Sequence, residues 1–158
     1  MALDAKIKEQ LSQYLTKIES PVSIDAYTNN EPASASMVDL LKELSGMSEK
    51  VSLNIVNDVN QRTPSFKVNK PNELSGIQFA GIPMGHEFTS LVLALLQVGG
   101  YPVKITEEQI EQIKNIKGKF MFETYISLSC HNCPDVVQAL NVLSLLNPGI
   151  SHCMIDGA

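Results

Sequence analysis

The chain has 158 residues, 44% hydrophobic and 18% charged, with a formal net charge of −5 and three cysteines. These proportions suit a folded protein with a sizeable core rather than a disordered chain, and an acidic balance without a Lys/Arg cluster argues against nucleic acid as a partner. The longest apolar run, residues 91–96, is too short to cross a bilayer, and residues 1–8 mix charges with isolated aliphatics and lack a secretory core, so no membrane and the cytoplasm are expected.

Leu3, Ile7, Leu11, Tyr14, Leu15 and Ile18 recur at helical spacing, which predicts an amphipathic helix over the first twenty residues, stopped by Ser20 and Pro21. Val22, Ile24 and Ala26 alternate as in a strand, and residues 29–32 make a turn. Met37, Val38, Leu40, Leu41 and Leu44 then mark a helix, and Val51, Leu53 and Ile55 mark a second strand. This is a βαβ unit, so its crossover should be right-handed and its strands parallel. A proline-led strand at residues 63–68 and another at 77–80 follow, then a helix over 86–98 closed by Gly99 and Gly100. Helix, βαβ, ββα is the order of a thioredoxin-like fold, here with no cysteine pair.

The plan then restarts. Thr106 and Gln109 read as a capping box for a helix carrying Ile110, Ile113 and Ile116. A buried strand at 120–127, a helix at 132–146 and a strand at 150–155 complete a second, shorter copy. The expected architecture is α/β: a first thioredoxin-like fold at residues 1–102, and at 103–158 the start of a second, truncated after strand, helix and strand. Such an arrangement leaves an apolar strand edge unpaired.

Only the second copy carries Cys130-His131-Asn132-Cys133, where a strand runs into a helix. There the first sulfur meets unpaired helix N–H groups, which favour thiolate, so the pair fits reversible disulfide chemistry with Cys130 attacking and Cys133 resolving. Two of three cysteines at this spacing do not form a structural disulfide framework. His131 suits thiolate stabilisation or a solvent-facing spacer, and Pro134 stiffens the first helical turn. Cys130, His131, Cys133, His152 and Cys153 raise a zinc reading. His152 and Cys153 are adjacent on a strand and point to opposite faces, however, so no metal is expected and Cys153 reads as a core thiol.

The stretches at 79–96, with Gly85-His86-Glu87-Phe88, and 122–141, with the cysteine pair, resemble the N-terminal domain of the F subunit of bacterial alkyl hydroperoxide reductase. The resemblance covers essentially the whole chain and implies tandem thioredoxin-like folds with a single cysteine pair. It implies a disulfide oxidoreductase that passes electrons from an NADH-dependent flavoprotein region of the same parent chain to a peroxiredoxin subunit. FAD and NADH would then belong to a region not present here, and this chain would be a fragment binding neither. No Gly-x-Gly-x-x-Gly occurs in it. Glu87 is implied as the acid/base serving the thiols from the first fold, since Thr124 stands six places before Cys130, where thioredoxins carry a buried acid. Left to the sequence alone, Glu87 reads as a first-turn residue favoured by the helix dipole. A zinc-stabilised module and a docking domain without catalysis are the alternatives.

Overall fold

The computed structural model describes residues 3–157. Asp4 accepts a hydrogen bond from the Lys6 N–H and so starts α1 (Ala5–Leu15), which buries Leu11 and Leu15. The helix stops short of residue 20, because the Thr16 N–H already turns back to the Tyr14 carbonyl. β1 (Val22–Tyr27), α2 (Pro32–Gly46) and β2 (Val51–Val56) form the expected βαβ unit, with β1 and β2 parallel. Pro32 belongs to the first turn of α2, where its missing N–H costs little, so the predicted turn at 29–32 is the helix entry.

β3 (Ser65–Asn69) pairs antiparallel with β1 and with β4 (Ile77–Ala80). A 3-10 turn, Gly85–Glu87, then leads into α3 (Phe88–Val98), so the helix predicted over 86–98 begins as a tighter coil. α4 (Glu107–Lys114) has the expected capping box between Thr106 and Gln109. β5 (Phe120–Ile126), α5 (Cys133–Leu146) and β6 (Ile150–Asp156) complete the described chain.

The strands form one sheet in the order β2-β1-β3-β4-β6-β5. β6 pairs in parallel with both β4 and β5, so it joins the two copies edge to edge. One apolar cluster runs under the whole sheet: Ile24, Phe66, Phe79, Leu91 and Leu95 from the first copy pack with Val137 and Met154 from the second, all fully buried. Phe66 and Phe79 stack across the β3–β4 pair at 5.2 Å. Burying seven such side chains contributes on the order of 10 kcal/mol before chain entropy is subtracted.

Two expectations fail in this part of the chain. The strand predicted as buried at 120–127 is the sheet edge: β5 has β6 on one side only, and Phe120, Met121, Phe122 and Tyr125 are exposed, Met121 at 87%. α4 buries none of its residues, and Ile116 lies beyond its end and exposed. An apolar pattern records which faces could be covered; coverage needs a neighbour at that place in the fold.

Candidate active site at the strand-to-helix turn

Cys130 and Cys133 form a disulfide, with their Cα atoms 5.6 Å apart. Both residues are half-buried, so the sulfurs are neither sealed in the core nor carried on a free loop. β5 delivers the chain to the turn 127–130, which the Cys130 N–H closes onto the Ser127 carbonyl at 3.0 Å. Asn132 stands at the head of α5, but its side chain makes no capping hydrogen bond. Sulfur takes that place: the Cys133 N–H donates to Cys130 Sγ at 3.2 Å. After reduction the same donor and the helix dipole stabilise a Cys130 thiolate. Pro134 is buried in the first turn of α5 and fixes its φ.

In the first copy the matching turn is closed by polar groups instead. Asn29 Oδ1 accepts from the Glu31 N–H at 2.9 Å and from the Ser34 hydroxyl at 2.8 Å at the head of α2. Oxygen does here what sulfur does in the second copy, and no redox chemistry attaches to it.

The 3-10 turn of the first copy abuts the cysteine turn of the second. The His86 N–H donates to the Leu128 carbonyl at 3.2 Å, and the His86 and His131 rings lie 4.4 Å apart. Gly85 makes the approach possible: its φ is +57°, and a Cβ there would stand 2.8 Å from the Leu128 carbonyl oxygen. His131 itself is exposed.

Glu87 is fully buried. Its Oε1 accepts from the Ser90 hydroxyl at 2.7 Å, and its Oε2 has no hydrogen-bond partner. Burial pushes its carboxyl above the ordinary value, opposed by the Ser90 hydrogen bond and by His86. Although Glu87 stands at the head of α3, its side chain caps no helix N–H, so the dipole reading does not describe its contacts.

The remaining candidates separate. His152 is buried with Nδ1 2.7 Å from Asn141 Oδ1 and Nε2 2.8 Å from Thr124 Oγ1, and burial lowers its pKa to about 4. Thr124, standing where thioredoxins carry an acid, is thus tied into a neutral network. Cys153 is a free, half-buried thiol whose pKa burial raises to about 11. It lines a cleft of about 420 Å³ with Arg62, Lys67, Gln78 and Glu123. Arg62 pairs with Glu123 across the cleft mouth. Among the described residues no group of three or more His, Cys, Asp or Glu side chains is arranged to hold a metal ion. Sequence reasoning missed Ser90 and the Thr124–His152–Asn141 network, which belong to no periodic or spaced motif, and gave His86 no role beyond its place beside Glu87.

No protein-family model matches the chain. It is 55% identical over 156 residues to the alkyl hydroperoxide reductase F subunit of Xanthomonas campestris pv. phaseoli, covering 99% of this chain and 29% of that protein. A protein of Ferdinandcohnia aciditolerans named NADH dehydrogenase is 57% identical over 158 residues, covering 100% and 30%. The chain therefore spans about three tenths of the length of these curated relatives. The crystal structure of the NTD_N/C domain of alkylhydroperoxide reductase AhpF from Enterococcus faecalis superposes with a TM-score of 0.90 at 26% identity, covering 98% of this chain and 80% of that one. Along essentially its whole length the chain is thus similar to the N-terminal portion of alkyl hydroperoxide reductase F subunits, and it shares the architecture of a solved N-terminal domain of that subunit.

Proposed function

We propose that this domain is the thiol–disulfide relay of an alkyl hydroperoxide reductase, carrying electrons from an NADH-dependent flavoprotein region of its parent chain to the disulfide of a peroxiredoxin, in the cytoplasm. The observation that carries the reading is the Cys130–Cys133 disulfide at the head of α5, with the Cys133 N–H on Cys130 Sγ. FAD and NADH belong, on this reading, to the flavoprotein region; no glycine-rich fingerprint for either occurs in these residues. The division of labour follows the two copies, residues 103–158 supplying the thiols and residues 1–102 the proton chemistry.

Two electrons and two protons convert the disulfide to a dithiol. The Cys130 thiolate attacks one sulfur of the partner disulfide; a mixed disulfide forms and the other partner sulfur leaves as thiolate. Cys133 loses its proton and attacks Cys130 Sγ, which reforms the Cys130–Cys133 bond and releases the second partner thiolate. Partner sulfur is reduced and domain sulfur oxidised, two electrons each. Glu87 is the group that takes and returns the proton of Cys133: a carboxyl raised by burial is matched to a thiol better than an ordinary one. His131 and His86 favour thiolate beside it, and Pro134 keeps the turn rigid.

The test is reduction of dithionitrobenzoate or insulin by the dithiol form, in this chain and in the full parent protein, with Cys130→Ser beside it. Activity should fall to background. Full activity in the variant would return the domain to a purely docking role, and stoichiometric zinc in the purified protein would favour a metal-stabilised module.

A further inference from the structure

The Glu87 carboxyl does not stand alone. Ser90, one turn along on α3, is fully buried and donates to Glu87 Oε1 at 2.7 Å. Its hydroxyl oxygen accepts in turn from Gln138 Nε2 at 3.2 Å. Gln138 sits on α5, five residues beyond Cys133, and reaches across 48 residues of sequence into the first copy. An amide nitrogen can only donate, so the Gln138 contact orients the Ser90 hydrogen toward the carboxyl. Oε1 can accept that hydrogen whether the carboxyl is charged or neutral. The proton is thereby left to Oε2, the atom with no partner.

We infer that Ser90, oriented by Gln138, is a positioning residue that fixes Oε1 of Glu87 as a permanent acceptor and reserves Oε2 for proton exchange. This rests on the proposed acid/base role of Glu87. The carboxyl is thus served from both copies, because α5 carries the resolving cysteine as well as the amide that orients the acid's partner. The titratable groups around Glu87 are few. His86 lies on its own turn, His131 lies tilted against His86, Cys130 and Cys133 titrate once reduced, and Asp135 is exposed in the first turn of α5. α3 and the residues 81–84 carry no titratable side chain.

Ser90→Ala places a strong helix former inside α3 and removes only the hydroxyl. Selective ¹³C labelling of Glu carboxyls follows the Glu87 titration directly, beside the pH profile of disulfide exchange. Losing a hydrogen bond to a charged group should slow exchange at neutral pH on the order of tenfold and move the Glu87 midpoint upward, because the carboxylate loses a donor. Gln138→Ala should shift both in the same direction by less, and it decides the matter if Ser90→Ala does not fold. In a Glu87→Gln background Ser90→Ala should add nothing to the rate. Unchanged midpoints and rates in Ser90→Ala and Gln138→Ala, with Glu87→Gln still slow, overturn the positioning role. An unchanged pH profile in Glu87→Gln overturns instead the acid/base role beneath it.

Discussion

The imidazole rings of His86 and His131 lie 4.4 Å apart at 55°, one on the turn before α3 and the other between the two cysteines. The contact bridges the two copies, and it sets an imidazole from the first against a residue that separates the two cysteines of the second. Charge on either ring favours a Cys130 thiolate. His131→Ala and His86→Ala should each slow disulfide exchange, and their double variant should fall short of the product by about threefold, the coupling expected of one ring pair. Simple multiplication of the two effects would mean that the rings act independently.

The two cysteines of the turn should differ from each other and from the third. Cys133→Ser leaves Cys130 able to attack but unable to be released, so a covalent complex with a disulfide substrate should accumulate and be visible by mass spectrometry. Cys130→Ser should give none. Cys153→Ser should leave exchange unaltered, because burial holds that thiol protonated, with its pKa at about 11. With the Cys130–Cys133 disulfide reduced, alkylation of the folded protein at neutral pH should modify Cys153 last.

Gly85 controls how closely the acid-bearing turn meets the cysteine turn. Gly85→Ala would force a side chain into a left-handed backbone, with its Cβ 2.8 Å from the Leu128 carbonyl oxygen, a backbone atom that cannot rotate away. A loss of about 1–3 kcal/mol is expected from denaturant melts. Exchange should slow as well, since His86 and Glu87 must retreat with the turn. A variant as stable and as fast as the parent would show that the close approach has no functional weight.

What could be read from the residues and what could not divides along sequence distance. The cysteine turn was legible because its parts are contiguous: strand, thiol, two residues, thiol, proline and apolar helix. The βαβ order was legible from alternation in β1 and helical period in α2. An unpaired apolar edge was expected of the shortened second copy, but that it is β5 was not legible, because Phe120, Met121 and Phe122 look like core until the sheet order puts nothing beyond them. Ser90 and Gln138 are common residues whose meaning lies in a contact spanning 48 positions. Glu87 came from family resemblance; its burial and unpartnered oxygen follow from the approach of the two copies.

Burial of Glu87 also has a thermodynamic signature. Its native carboxyl titrates above the ordinary value, so the stability it allows is fully present below the ordinary carboxyl range and is lost as pH rises through the native value. Glu87→Gln keeps an oxygen for Ser90 and removes the ionisation. The variant should therefore gain thermal stability relative to the parent between pH 4 and pH 8. A constant difference in Tm over that range would place the ionisation cost elsewhere.

His152 carries the opposite sign. Its ring is buried and neutral, held between Asn141 and Thr124, and its native pKa is about 4 against an ordinary value of 6.5. Between those values the unfolded chain binds a proton that the native state refuses, so stability is full above pH 6.5 and falls as pH drops toward 4. A gap of this size corresponds to about 3 kcal/mol. With Nδ1–H donating to Asn141 Oδ1 and Nε2 accepting from the Thr124 hydroxyl, both ring nitrogens are engaged in the neutral form. A second proton would leave Thr124 facing a donor. His152→Gln keeps polar contacts but does not titrate, so its loss of stability on going from pH 7 to pH 4.5 should be smaller than the parent's. Equal acid sensitivity in variant and parent, read as Tm across that interval, would assign the acid-labile step to other groups and leave His152 a packing residue.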